Sequence, residues 1–309
     1  MYRYLTLDRD EAEAEAQRRA NDRQACEWLT WLTNQKGRTP ETATNYARVL
    51  ARFLDDVVCA RPLAVVSVPE VEEWVMRDRR KRGARDGGPG SPATRARDLT
   101  VIKAFYGWLS ARGHVHRDLG ALLVAPKISN RQPKPVPDDV WCEVYPQLAP
   151  TAQVTMGLMF FAGLRRAEVA ALQGEHFDSG MLRNFPRKGG GDDTLPYADM
   201  LGIIGDHLPH LLCGHTSLQT QKQWRARAVQ GGSIFNMRPD DLNAAFARWL
   251  APTGHSFTPH QLRHSCATNM IRAGLPLDLV SWLLNHASIA TTMRYVKVSG
   301  TRLSEWRNR

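Results

Sequence analysis

Uninterrupted apolar stretches are short in this 309-residue sequence. ALLVA and MGLMFFAGL typify what it has, against the ~18 apolar residues that a membrane-crossing helix needs. The opening MYRYLTLDRDEAEAEAQRR is charged where a secretory leader is apolar. Cysteine is sparse: Cys26, Cys59, Cys142, Cys213 and Cys266 are odd in number, far apart and form no C-x-x-C pair. That pattern argues against a disulfide scaffold or zinc knuckle and fits a reducing compartment. Neither G-x-x-x-x-G-K-[ST], G-x-G-x-x-G nor H-E-x-x-H occurs, so nucleotide-driven and zinc-protease chemistry lack their motifs. The expectation is a soluble, cytoplasmic protein with no membrane partner, no metal and no cofactor.

Positive charge, by contrast, is in excess. Lys and Arg number 41 against 31 Asp and Glu, a formal charge of +10, which makes a polyanion the first partner to consider. Residues 1–140 hold 24 basic and 19 acidic residues and 141–309 hold 17 and 12, so both halves share the excess. It concentrates between Arg77 and Arg97, where Arg77, Arg79, Arg80, Lys81, Arg82, Arg85, Arg95 and Arg97 face only Asp78 and Asp86. With helical flanks and RDGGPGSP between them, this run fits a solvated loop or a phosphate-contacting one.

The first 125 residues predict a small helical domain. Ala25, Trp28, Leu29 and Leu32 recur at helical spacing, and Gly37 closes that segment. Thr39-Pro40 and Ser91-Pro92 each read as an N-cap followed by a first-turn proline. Pro69 opens a helix through Val71, Trp74 and Val75, and Ala93–Leu109 carries Leu99, Ile102, Phe105, Tyr106 and Leu109 on one stripe. Residues 126–137, PKISNRQPKPVP, contain four prolines and Lys127, Arg131 and Lys134, and read as a stiff, basic linker. A second domain is expected over 138–309: a helix capped by Asp138 or Asp139, a buried helix over Thr151–Ala162, a short β-hairpin or three-strand patch over 181–197 turning at its glycines, and helices over Asp240–Leu250, Pro259–Ala273, Leu277–Leu284 and Ser288–Tyr295. The fold class is mainly α, an α+β protein with a small sheet.

Five polar features of this second part stand out. His260 and Arg263 share a helix face in a first turn where Thr258 and Pro259 favour a cap, and free N–H groups there suit an anion. Taken alone, an exposed pair on an ordinary helix is the better account of them. Arg165 and Arg166 interrupt MGLMFFAGL and AEVAAL, so a charge must be paired or face a cleft; Glu168 is at hand for an internal salt bridge. Arg187-Lys188-Gly189 sits in the predicted hairpin. His286 follows the apolar LVSWLL, as a core-edge histidine would. Tyr295 comes nine residues later. A zinc site of His260, His264 and His286 is a further reading, without the glutamate of H-E-x-x-H.

In order, G-L-R-x-x-E, R-K-G, H-x-L-R-H, L-x-N-H and T-T-x-x-Y resemble the motifs of the tyrosine recombinase (phage integrase) family, including its Xer-type members. The intervals are 23 residues from Arg165 to Lys188, 72 to His260, 3 to Arg263, 23 to His286 and 9 to Tyr295. The likeness spans roughly residues 137–300; residues 1–125 resemble the family's SAM-like core-binding domain in size and helical texture. It implies that Tyr295 attacks a DNA phosphodiester, leaving a 3′-phosphotyrosyl link and a free 5′-hydroxyl. Arg165 and Arg263 would clamp the non-bridging oxygens, Lys188 would protonate the departing oxygen, His260 would assist proton transfer from the tyrosine, and His286 would hold the phosphate. Glu168 would support Arg165. Such a phosphotyrosyl ester conserves the energy of the broken bond, consistent with the missing nucleotide-binding loop. Two departures stand out: Asn285 replaces the glycine usual before the last histidine, and RKGGGDD replaces a hairpin richer in base, leaving Arg187 as the alternative acid to Lys188.

The resemblance also implies partners: double-stranded DNA with paired sites, a tetramer on synapsed DNA formed from monomers when free, accessory proteins, and a place at the nucleoid. Phosphate contacts would come from Arg77, Arg79, Arg80, Lys81, Arg82, Lys127, Arg131 and Lys134, with helices carrying Arg95, Arg97 and Lys103, and Arg225 and Arg227, reading the groove. The tail after Tyr295, with Leu303 and Trp306 as its apolar anchors, would pack on a neighbouring protomer. The alternatives are a type IB topoisomerase, a catalytically silent DNA-binding protein and a metal-dependent nuclease.

Overall fold

A computed structural model describes residues 2–77, 91–127, 132–187, 194–229, 238–286 and 288–296, the side chains of 2–9 and 227–229 excepted. The chain divides into two compact units, Met1–Asn130 and Arg131–Arg309.

Helices are the regular elements of the first unit among its described residues: α1 (Tyr2–Asn34), α2 (Pro40–Phe53), α3 (Val68–Met76), α4 (Pro92–Ala111) and the single turn α5 (Leu119–Leu122). The two Thr/Ser-Pro signals act as the sequence suggests. Thr39 accepts the amide of Thr42 at 3.3 Å, and Ser91 that of Thr94 at 3.2 Å, each satisfying one orphan donor of a helix start. Gly37 leaves α1 at φ +59°. The core gathers one aromatic from each long helix. The Trp28 and Phe105 rings lie 5.3 Å apart, those of Phe53 and Trp74 5.4 Å, and the buried Tyr106 hydroxyl donates to the carbonyl of Leu63 at 3.0 Å.

The second unit follows with α6 (Asp138–Val144), α7 (Pro150–Phe161), α8 (Arg166–Ala171), β1 (Phe177–Asp178), β2 (Met181–Leu182), α9 (Tyr197–His207), α10 (Ser217–Val229), α11 (Pro239–Leu250), α12 (Pro259–Arg272), α13 (Leu277–Leu283) and α14 (Ile289–Val296). Helix α7 is its axis: every residue from Ala152 to Phe161 is buried, and α12 packs along it. Trp141 of α6 stacks on Phe160 with ring centroids 3.8 Å apart. Buried all round, α7 fixes the loop that follows it, and α12 stands beside that loop.

Three expectations need correction. Asp138 does not cap α6; Pro137 is its N-cap residue, and the Asp138 carboxylate pairs instead with Arg272 at 2.8 Å and His210 at 3.2 Å. The sheet begins earlier than residue 181. Phe177 pairs with Leu182 and Asp178 with Met181, and the turn is Ser179-Gly180, both at positive φ, the conformation that suits a two-residue hairpin. Leu182 also bridges Leu195 in antiparallel sense; the glycine turn between them lies outside the described residues. Finally, α9 has no counterpart in the sequence reading, and α10 is anticipated only as a helix carrying Arg225 and Arg227, without its bounds. Two glycines dilute the pattern of α9, and α10 is polar but for a few residues, with Trp224 its fully buried anchor.

Among the described residues no helix is long and apolar enough to cross a membrane.

Candidate active site

Three turns and two helices build one cleft in the second unit. Gly163, at φ +64°, reverses the chain after α7, so that Arg165 becomes the N-cap residue of α8. Glu168, three residues into that helix, accepts the Arg165 amide at 2.8 Å and its Nη1 at 2.7 Å. The Glu168 side chain is 3% exposed, so the pair fixes both the backbone and the guanidinium. At α12, Thr258 accepts the amide of Gln261 at 3.3 Å, and Gln261 Oε1 accepts that of Thr258 at 3.0 Å, the reciprocal cap. One turn of that helix then presents His260, Arg263 and His264.

The end of α13 supplies the third wall. Asn285 takes the left-handed conformation at φ +46°; its amide donates to Trp282 O at 2.9 Å, and that of His286 to Ser281 O at 3.0 Å. This is a Schellman ending with asparagine in the usual glycine position. It leaves the last carbonyls of the helix for other donors, and arginines take them. Arg187 Nη2 donates to Leu283 O at 2.8 Å and Arg165 Nη2 to Asn285 O at 2.7 Å. Arg263 Nη2 donates to Leu284 O, and its Nη1 to Gly163 O. The negative end of α13 thus holds three cations in place.

Helix α14 closes the cleft. Thr292 Oγ1 is 2.8 Å from His286 Nδ1, and the Tyr295 ring lies parallel to that of His286 with centroids 6.2 Å apart. The Tyr295 hydroxyl is 2.6 Å from His264 Nδ1. Arg165, His260, Arg263, His264, His286, Arg294, Tyr295 and Lys134 all line a cleft of about 890 Å³. Four of these residues are permanent cations, and no described lining residue is acidic.

Burial and that imbalance together act on the three histidines, on Arg263 and on Tyr295. Burial, reinforced by Arg263, Arg165 and Arg294, holds His286 down to about 3. Burial, then His260, Arg294 and Arg263, holds His264 at about 4, and His260 is lowered by burial and by the same arginines. Burial and Arg165 bring Arg263 to about 10, still charged at neutral pH. Burial raises Tyr295, while Arg263 and Arg294 oppose the rise. A bound anion would offset the lowering of the three histidines and of Arg263, and the arginines form the pre-arranged positive field that a phosphoryl oxygen requires.

Arg165, Glu168, His260, Arg263, His286 and Tyr295 therefore come together as the family resemblance implied. Lys188 lies outside the described residues. Arg187, the alternative to it, is held by the α13 carbonyl and does not line the cleft. The hydroxyl of Tyr295 is bonded to His264 rather than to His260, a contact the sequence reading missed although it noted both histidines. Arg294 and Thr292 were missed as well; their signal is their position one and three residues before Tyr295. No group of His, Cys, Asp or Glu among the described residues is arranged to hold a metal, and the zinc reading has no geometry behind it.

The expected DNA contacts fare unevenly. Lys134 is exposed and lines the cleft, and Lys127 and Arg225 are exposed. Arg77 pairs with Glu73 at 3.3 Å and Arg97 lies 3.5 Å from Asp98. Arg95 is half-buried with Nη1 on the sulfur of Met76. The Lys103 ammonium donates to the carbonyl of Leu123 at 2.7 Å, a bond that ties α4 to the end of α5. Arg79, Arg80, Lys81, Arg82, Arg131, the side chain of Arg227 and the tail with Leu303 and Trp306 lie outside the described residues.

A model of the phage integrase family matches residues 213–302. The tyrosine recombinase XerC of Methylobacterium sp. (strain 4-46) is 30% identical over 297 residues, covering 89% of this chain and 89% of that protein. The chain belongs to the tyrosine recombinase (phage integrase) family. Among solved structures, a lambda integrase dimer bound to a COC′ core site covers 91% of this recombinase and 78% of its own chain, at 18% identity and a TM-score of 0.68. A lambda integrase tetramer bound to a Holliday junction covers 86% and 77%, at 17% identity and a TM-score of 0.64. At that distance the likeness establishes a shared, mostly helical fold with a small hairpin.

Proposed function

We propose that this recombinase cleaves and rejoins duplex DNA at specific sites through Tyr295, exchanging strands between paired sites. The observation that carries the reading is the cleft itself, in which two buried or half-buried arginines, three histidines and a tyrosine surround a space lined by no described acidic residue. A phosphodiester fits that field. Arg165 and Arg263 each retain part of a planar donor fork for its non-bridging oxygens, and His260 and His286 stand beside it. The phenol, with an ordinary pKa near 10, is a poor nucleophile until its proton is taken and its anion stabilised; here the arginines supply the stabilisation. Lys188 is the proposed donor to the departing 5′-oxygen, and Glu168 positions Arg165. The first unit is read as a SAM-like core-binding domain, with Lys127, Lys134 and Arg225 among the phosphate contacts. The lambda integrase assemblies, a dimer on a core site and a tetramer on a Holliday junction, support a tetramer on synapsed DNA for this chain. A place at the nucleoid and accessory proteins belong to the same proposal and rest on the family resemblance alone.

The test begins by mapping the DNA ends covalently attached to the protein in its host, which yields the site. A nicked duplex carrying that site should then trap a covalent adduct with the wild-type protein and none with Tyr295→Phe, whose DNA affinity stays within threefold. Full adduct formation by Tyr295→Phe refutes the assignment.

A further inference from the structure

The phenol of Tyr295 is 2% exposed and its hydroxyl has one close partner, His264 Nδ1 at 2.6 Å. A buried phenolic O–H must place its proton on an acceptor. Tyr295 holds that proton at neutral pH because burial raises its pKa, so Oη donates and Nδ1 accepts. His264 is accordingly the neutral tautomer with hydrogen on Nε2. The groups facing it agree: His260 (ring centroids 4.2 Å away), Arg263, His286 and Arg294 include two permanent cations and no carboxylate. They keep His264 unprotonated while the cleft is empty and its nitrogen free to accept.

Resting on the reading of Tyr295 as nucleophile, we infer that His264, not His260, is the catalytic base that takes the tyrosine proton. As the Tyr295 Oη–P bond forms, the Oη–H bond breaks and its proton moves to Nδ1, giving a His264 imidazolium. The P–O5′ bond breaks at the same centre, and O5′ receives a proton from the acid for which Lys188 is proposed. Rejoining reverses each transfer, His264 returning its proton to the phenol. The same geometry makes activation depend on substrate. A phosphate between Arg165 and Arg263 offsets the field that keeps His264 neutral, so the base strengthens when there is a bond to attack. Geometry precedes basicity in such an assignment, and His264 is the histidine already within bonding distance.

His264→Gln keeps a polar side chain that cannot take a proton. On the nicked duplex it should cleave about 100-fold or more slower than wild type, with DNA affinity within threefold. A substrate with sulfur in place of the 5′-bridging oxygen needs no leaving-group proton, so its pH profile isolates the nucleophile side. The acid limb seen with wild type should vanish in His264→Gln and persist in His260→Gln. Nitrogen-15 NMR of the wild-type complex with an unnicked duplex gives a readout independent of any variant's folding, and should show the Nε2–H tautomer. Cleavage by folded His264→Gln within threefold of wild type, or an Nδ1–H tautomer, overturns the inference. Neither result touches the nucleophile assignment, which falls only if Tyr295→Phe still forms adduct.

Discussion

Arg165 donates to the carbonyl of Asn285 at 2.7 Å, joining two turns that lie 120 residues apart in sequence. Arg187 and Arg263 take the two preceding carbonyls, Leu283 and Leu284. One helix terminus, whose last carbonyls have no partner within the helix, thus sets the mutual position of three guanidinium groups and of His286. The cationic field of the cleft and the backbone that precedes His286 are one construction, so a change in either reaches both.

Glu168 is where that construction is most exposed to a single substitution. Its carboxylate is almost fully buried and bonds both the amide and the guanidinium of Arg165. Glu168→Ala leaves a half-buried arginine without its counter-charge, and the expected loss is about 3 kcal/mol of unfolding free energy. A urea denaturation series measures it. Covalent adduct formation should fall with it, since Arg165 is then held by the Asn285 carbonyl alone among these bonds. Glu168→Gln keeps the amide contact and should recover about half the stability.

Gly163 answers to two demands at once, a positive φ and close approach. A Cβ there would overlap Leu284 Cδ2 and lie 3.0 Å from Cys266 Sγ, at a backbone conformation that L-residues avoid. Gly163→Ala should cost roughly 2–4 kcal/mol from left-handed strain and overpacking together. Because Gly163 O accepts from Arg263, thermal melting and DNA affinity should drop in parallel. A melting temperature within 1–2 °C of wild type, below the shift that even ~1 kcal/mol produces in domains of this size, would contradict the crowding.

Much of this is legible in the amino-acid sequence. The caps at Thr39, Ser91 and Thr258 are local chemistry, and the stripe of α4 and the buried run of α7 are simple periodicity. The clustering of Arg165, His260, Arg263, His286 and Tyr295 is what the resemblance of the ordered motifs to the family implies. What escaped has physical reasons. Gly202 and Gly205 break up the apolar pattern of α9, and Asp138 resembles a cap but serves a tertiary pair with Arg272 and His210. The Tyr295–His264 bond depends on how α14 lies on α12, and no spacing within either helix encodes that.

Asn285 offers a prediction with two opposite signs. At φ +46° it occupies the position where glycine is usual. Asn285→Gly should leave stability unchanged or raise it by up to ~1 kcal/mol, whereas Asn285→Val, branched and forced left-handed, should lose about 1–3 kcal/mol. The carbonyl that Arg165 uses is present in both variants. Any loss of cleavage in the valine variant therefore reports displacement of the 284–286 turn, measurable as weaker binding to a short duplex.

The histidines give the molecule a pH dependence whose direction changes with its ligand. His286 is held down to about 3 and His264 to about 4, by burial first and by the neighbouring arginines next, while an unfolded chain has histidines near 6.5. Below about pH 6.5 the unfolded chain therefore binds protons that the folded one refuses. The stability present at pH 7 declines as the pH falls toward 4. Urea midpoints at pH 7.5, 6.5, 5.5 and 4.5 should fall in sequence, and a His264→Gln/His286→Gln double variant should flatten the decline between 6.5 and 4.5. Phosphate between Arg165 and Arg263 reverses the bias, because a negative charge favours the imidazolium forms. Duplex binding at pH 5.5 should accordingly take up protons. Calorimetry in buffers of different ionisation heat counts them, and release of protons on binding would mean that the phosphate does not enter this cleft.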